Sequence, residues 1–100
     1  GGGGVETANV RGRVVGPDGE GVSDHVVLLK CIEPQRDGHL EIDYGSSHVR
    51  TSSEGRFSVQ LPVASVVEVR VIDAHHKELL QETWDRAAFA SGEERLLRLP

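Results

Sequence analysis

The side chains with which this chain could do chemistry are five histidines, one cysteine, two lysines and nine arginines. A metal site draws imidazoles together, at i, i+2 on a strand or i, i+4 on a helix. His25, His39, His48, His75 and His76 offer no pair at either spacing. His75 and His76 are adjacent, so on a strand they would point to opposite faces, and the run His-His-Lys-Glu reads as a solvated hairpin turn. His39 and His48 flank one hairpin and could meet across it, with Asp43 between them. No metal or cofactor is expected. Cys31 ends the run 26-VVLLKC-31, which marks it as a small buried hydrophobe. A nucleophilic thiolate would need a basic neighbourhood and a histidine base, and nothing in the sequence fixes that pairing. A single cysteine also excludes an intrachain disulfide and a cysteine-rich zinc site. Serine, histidine and aspartate are present without a Gly-x-Ser-x-Gly elbow, so no catalytic residue is assigned.

The arginines read differently. Arg11 and Arg13 share one face of the first strand, and Arg56 and Arg70 face outward on later ones. Their simplest role is a solvated sheet face of mixed Arg and Glu pairs. Their functional role would be to dock an acidic partner domain. Strand edges carry unpaired backbone groups that must be protected or used, and short or charged edges suit both ends. The expected interaction edge is therefore the first strand, through Arg11 and Arg13, or the short segment 48–51, through His48 and Arg50.

Composition bounds the partners. One hundred residues make one domain, long enough to fold without staples. The formal charge of −5 opposes nucleic-acid binding, which needs an excess of Lys and Arg. No apolar run approaches the length a bilayer requires, so membrane insertion is not expected. The chain contains no Met and shows no signal peptide; the expectation is an excised piece of a longer protein, from which a leader could have been left behind.

The elements that would position these residues alternate with period two. Residues 1–7 read as a flexible Gly-rich leader and 8–100 as the domain. Strand 8–16 sets Val10, Gly12 and Val14 against Arg11 and Arg13. Pro17-Asp18-Gly19 turns the chain into 25–33, a central strand with Val27, Leu29 and Cys31 on its apolar face. Residues 39–45 alternate Leu40, Ile42 and Tyr44 against Glu41 and Asp43, and 48–51 is a short continuation or a separate edge piece. Strand 56–61 sends Phe57, Val59 and Leu61 inward, and 66–74 does the same with Val67, Val69 and Val71. The spacing in 77–90 fits one helix face and also a strand ending at Trp84. A strand over 78–84 is preferred, because 93–99 needs a nearby antiparallel partner. Gly19 and Gly55 should adopt positive φ in their turns. The fold class is all-β, an antiparallel seven-stranded β-sandwich with Greek-key connections.

The run 10-VRGRVVGPDGEGVSDHVVLL-29 and the segment 51-TSSEGRFSVQLP-62 resemble carboxypeptidase regulatory-like domains, which are prealbumin- or transthyretin-like sandwiches. The second segment is similar to that family's Thr-Asp-x-x-Gly-x-Phe motif, and 66-VVEVRVIDA-74 sits where the family has its next long strand. The chain departs from the family at Gly21-Val22-Ser23-Asp24 and at Pro62-Val63-Ala64-Ser65. The resemblance implies a non-catalytic accessory domain that spaces, stabilises or docks another domain of the same polypeptide or a protein partner. It also implies a bacterial, extracellular or cell-envelope setting. A carbohydrate or cell-envelope polymer is the alternative ligand, although Trp84 and Phe57 read as core rather than as a sugar platform. Enzymes of similar fold come third. Intradiol dioxygenases bind iron through two tyrosines and two histidines, and this chain has only Tyr44. Transthyretin-related hydrolases end in Tyr-Arg-Gly-Ser, and this chain ends Arg98-Leu99-Pro100. An internal isopeptide would need a buried lysine on the first strand, where this chain has Arg11 and Arg13.

Overall fold

The computed structural model describes residues 6–34, 41–90 and 92–100. They form seven strands: β1 (Thr7–Val15), β2 (Val26–Glu33), β3 (Ile42–Arg50), β4 (Arg56–Pro62), β5 (Val66–Ile72), β6 (Glu78–Asp85) and β7 (Glu94–Arg98). One helical turn, α1 (Ala87–Ala90), lies between β6 and β7. The strands make a three-stranded sheet ordered β4-β1-β7 and a four-stranded sheet ordered β3-β2-β5-β6. No described helix is long and apolar enough to cross a membrane.

Alternation decides which side chains are buried. Val10 and Val14 of β1, Phe57 and Leu61 of β4 and Leu97 of β7 join Val27, Leu29 and Cys31 of β2, Val67, Val69 and Val71 of β5 and Trp84 of β6 in one apolar cluster. Both sheets therefore contribute to a single core. Gly12 faces it directly opposite Phe57 in the β1–β4 register. A Cβ on Gly12 would lie 2.2 Å from the Phe57 ring, so the ring occupies the place a side chain would take. Val59, expected inward, packs against this core but is only half-buried.

One expectation is corrected. The sheets are not uniformly antiparallel: β7 runs parallel to β1, with Val14 beside Leu97, and does not pair with β6. The chain leaves the β6 edge of one sheet, turns through α1 and joins β1 in the other. Residues 42–50 are one strand, so the segment from His48 continues it, the first of the two readings. Ser46 and Ser47 pair regularly, and the irregularity lies earlier, at a β-bulge: Cys31 pairs with Gly45 and Ile32 with Asp43, which leaves Tyr44 extra. Gly45 has φ 116° there, and its N–H donates to Asp43 Oδ1 at 2.7 Å. The bulge interrupts the alternation, so Ile42 and Tyr44 stay 45% and 39% exposed on an edge strand. β1 begins at Thr7, and the Glu6 carbonyl accepts the Val63 N–H. Residues 1–5 of the expected leader lie outside the described residues, as do His39 and Leu40.

The stretch 51–56 holds the two sheets' connections in place. Thr51 is buried; its hydroxyl donates to Val22 O at 2.8 Å and accepts the His25 N–H at 3.0 Å. Gly55 turns with φ 81°, and a Cβ there would lie 2.3 Å from Val14 O. That approach lets Val14 N–H donate to Gly55 O at 2.8 Å, while Val14 O accepts the Val22 N–H at 2.9 Å. The turn after β1 is thus stitched to the turn before β4.

Phe57→Ala should cost about 3–5 kcal/mol in urea unfolding, the range for truncating a buried aromatic. Thr51→Val should cost about 1–3 kcal/mol, because a buried carbonyl and N–H lose their shared partner. A midpoint unchanged from the parent in either variant would contradict the packing described.

Candidate functional site

The arginines expected on an edge lie instead on a face. β1 is flanked by β4 on one side and β7 on the other, so Arg11 and Arg13 do not sit on a free edge. Their side chains project from the outer face of the three-stranded sheet, opposite to Val10, Gly12 and Val14. The register sets Arg13 between Arg56 and Leu96, and Arg11 between Ser58 and Glu94. Arg98 adds a fourth guanidinium at the end of β7, on the face opposite buried Leu97.

Like charges directly across a sheet are destabilising, and local bonds reduce that cost here. Arg11 donates to Gly92 O at 2.6 Å and Arg13 Nε to Glu54 O at 3.0 Å. Arg56 pairs with Glu54 at 2.6 Å and Glu94 at 3.2 Å. Arg11 and Arg13 thus bond to carbonyls, which carry no net charge, and among the described residues neither they nor Arg98 forms an ion pair. The strands contribute four guanidiniums and one carboxylate, Glu94, to this face. With Glu54 of the adjoining turn, four guanidiniums meet two carboxylates, a locally cationic surface in a chain of net charge −5.

His48 and Arg50 are elsewhere. Both lie on β3, an edge of the four-stranded sheet, paired with Leu28 and Val26 of β2. Here the expected edge is an edge. Arg50 donates to Asp24 at 2.8 Å, with both side chains exposed. His48, Arg50 and His76 rim a shallow groove whose floor is Val26, Leu28 and Ile72. The structure does not bring Arg11 and Arg13 together with His48 and Arg50, which belong to different sheets.

The remaining chemistry-bearing residues are absorbed by the fold. Among the described residues no three of His, Cys, Asp and Glu converge as metal ligands. His75 and His76 lie in the β5–β6 turn, His76 with φ 64°. Asp73 caps that turn, accepting the N–H groups of Lys77 at 3.0 Å and His75 at 2.8 Å. The bond from Lys77, then that from His75, holds its carboxyl below the ordinary carboxylate range. Burial, and secondarily the charge of Asp43, pushes the Cys31 thiol up. Lys30 is partly exposed, 3.9 Å from Asp43, not in the core. Trp84 is buried; its Nε1–H donates to Glu82 at 3.3 Å, and Arg95 lies 5.0 Å from its ring centroid. Sequence reasoning found Trp84 as core but had no signal for Arg95 covering it, since that contact joins different sheets.

Cys31 should resist thiol reagents in the native protein and react only as the chain opens. Its folded-state pKa is raised, so folding favours the neutral thiol. Stability should be unaffected at neutral pH and fall as pH rises past roughly 8.5, where the unfolded thiol ionises. A Cys31→Ala variant should lose that alkaline component. Chelation should leave the Tm unchanged; a fall reversed by zinc or calcium would reveal a metal site. Comparison with known proteins adds nothing to these residues: no protein-family model matches the chain, and neither does any curated protein or solved structure.

Proposed function

We propose that this chain is a non-catalytic accessory module, a β-sandwich of the carboxypeptidase regulatory-like kind, that docks an acidic protein surface through the outer face of β4-β1-β7. The partner is another domain of the same polypeptide or a separate protein. The observation that carries this reading is the cluster of Arg11, Arg13, Arg56 and Arg98 on one sheet face, with Glu94 as the only carboxylate on its strands. Juxtaposed like charges weaken a fold, and a carboxylate-bearing partner would relieve the repulsion. The sandwich assignment is supported by the single core to which both sheets contribute. The family assignment rests on the motif residues: Gly55 turns the chain at positive φ and Phe57 fills the core. A buried thiol and turn-bound histidines favour a scaffold over an enzyme.

Hexaglutamate is a suitable probe. Its titration into 15N-labelled protein should shift amide signals on β1, β4 and β7. The shifts should fade between about 0.01 M and about 1 M salt, as the screening length falls from roughly 30 Å to 3 Å. Reversing Arg13 and Arg98 to Glu should leave the protein folded and abolish the shifts. Arg98 is the cleaner of the two, because Arg13 also holds the Glu54 carbonyl. Shifts confined to other surfaces, or none, would refute the docking face. Salt-insensitive shifts around Tyr44 with a neutral oligosaccharide would favour the polymer-binding alternative.

A further inference from the structure

The two edges of the four-stranded sheet are treated differently. On β6 the core side carries a charge: Glu82 lies opposite Val69, between Leu80 and Trp84, and accepts the indole N–H. An inward charge on an edge strand discourages a further strand from adding there. β3 has no inward carboxylate. Ile42 and Tyr44 make it the site of two of the three exposed large hydrophobics among the described residues. Its centre is Gly45-Ser46-Ser47, which has no side chain large enough to hold another backbone away.

The charges of this edge are arranged head to tail. Glu41 and Asp43 stand at its start, and His48 and Arg50 at its end. A parallel copy would set like on like. An antiparallel copy sets acid on base at both ends, which is the condition for a self-complementary two-fold contact. Ser46 can sit on the axis while Tyr44 stays bulged as it is against β2. Asp43 of one copy then falls opposite His48 of the other, Ile42 opposite Val49, and Glu41 opposite Arg50. The present partners of these groups are weak competitors. Asp43 holds the Gly45 N–H through Oδ1, which leaves Oδ2, 3.9 Å from Lys30, for a new partner, and the Arg50–Asp24 pair is exposed on both sides, where ion pairs contribute little.

We propose that two copies of this chain pair antiparallel along β3, joining two four-stranded sheets into one of eight. This contact is separate from the arginine face, which belongs to the other sheet.

Charge exchange tests it. Glu41→Arg sets Arg against Arg50 at both ends of the dimer, and Arg50→Glu sets Glu against Glu41 at both ends. Each variant alone should dimerise at least roughly tenfold more weakly than the parent in sedimentation velocity. An equimolar mixture should recover the dimer, because every facing pair in the mixed dimer is again opposite in charge. Ile42→Lys with Tyr44→Lys, at exposed positions that leave the core untouched, should also be monomeric. The Arg13→Glu, Arg98→Glu variant should dimerise like the parent, which separates this contact from the proposed docking face. A parent that stays monomeric up to roughly 1 mM overturns the proposal. So does a dimer indifferent to the β3 variants, or one lost only when the arginine face is reversed.

Discussion

The Phe57 ring lies where the side chain of residue 12 would be, and even a methyl group on Gly12 would collide with it. That contact joins the edge strand β4 to the central strand β1 on the core side of their sheet. Phe57 thereby reaches the apolar cluster shared with β2, β5 and β6. β1 in turn fixes β7, which has no other strand neighbour. The three-stranded sheet, and the face it presents outward, follow from one large residue opposite one with no side chain.

A sheet whose inner face is committed to the core has only its outer face and its edges left for interaction. The arginine face is carried by three strands in register, and Arg11 and Arg13 are pre-positioned by carbonyls at Gly92 and Glu54. Ordering those side chains before a partner arrives reduces the entropy lost on binding. The bonds that limit repulsion among the arginines thus also prepare them for carboxylates.

The edges show a second division of labour. β6 is guarded by Glu82, while Trp84 and Arg95 meet where β6 comes near β7. β3 is modified by a bulge that leaves its hydrophobics outside. A bulge bends a strand and usually discourages unplanned pairing. A partner built from the same strand carries the same bulge, and so can match it.

The sequence alone determined the parts that depend on period-two alternation and turn chemistry. Strand positions for β1, β2, β4, β5 and β6, the inward Val27, Leu29, Cys31, Phe57, Val67, Val69, Val71 and Trp84, and the positive φ of Gly19 and Gly55 were all legible, because each is fixed by neighbours within a few residues. Tertiary structure decided what alternation cannot encode, namely which strand lies beside which. Strand order turned Arg11 and Arg13 from edge residues into the centre of a face, and sent β7 to β1 instead of β6. Pairing with Lys30 and Leu29 carried β3 through Ser46 and Ser47, and the bulge at Tyr44 overrode its alternation. Thr51 reads as one more loop residue until β2 and β3 bring Val22 and His25 to its hydroxyl. Each of these depends on groups distant in sequence meeting in space, and a local pattern carries no record of such a meeting.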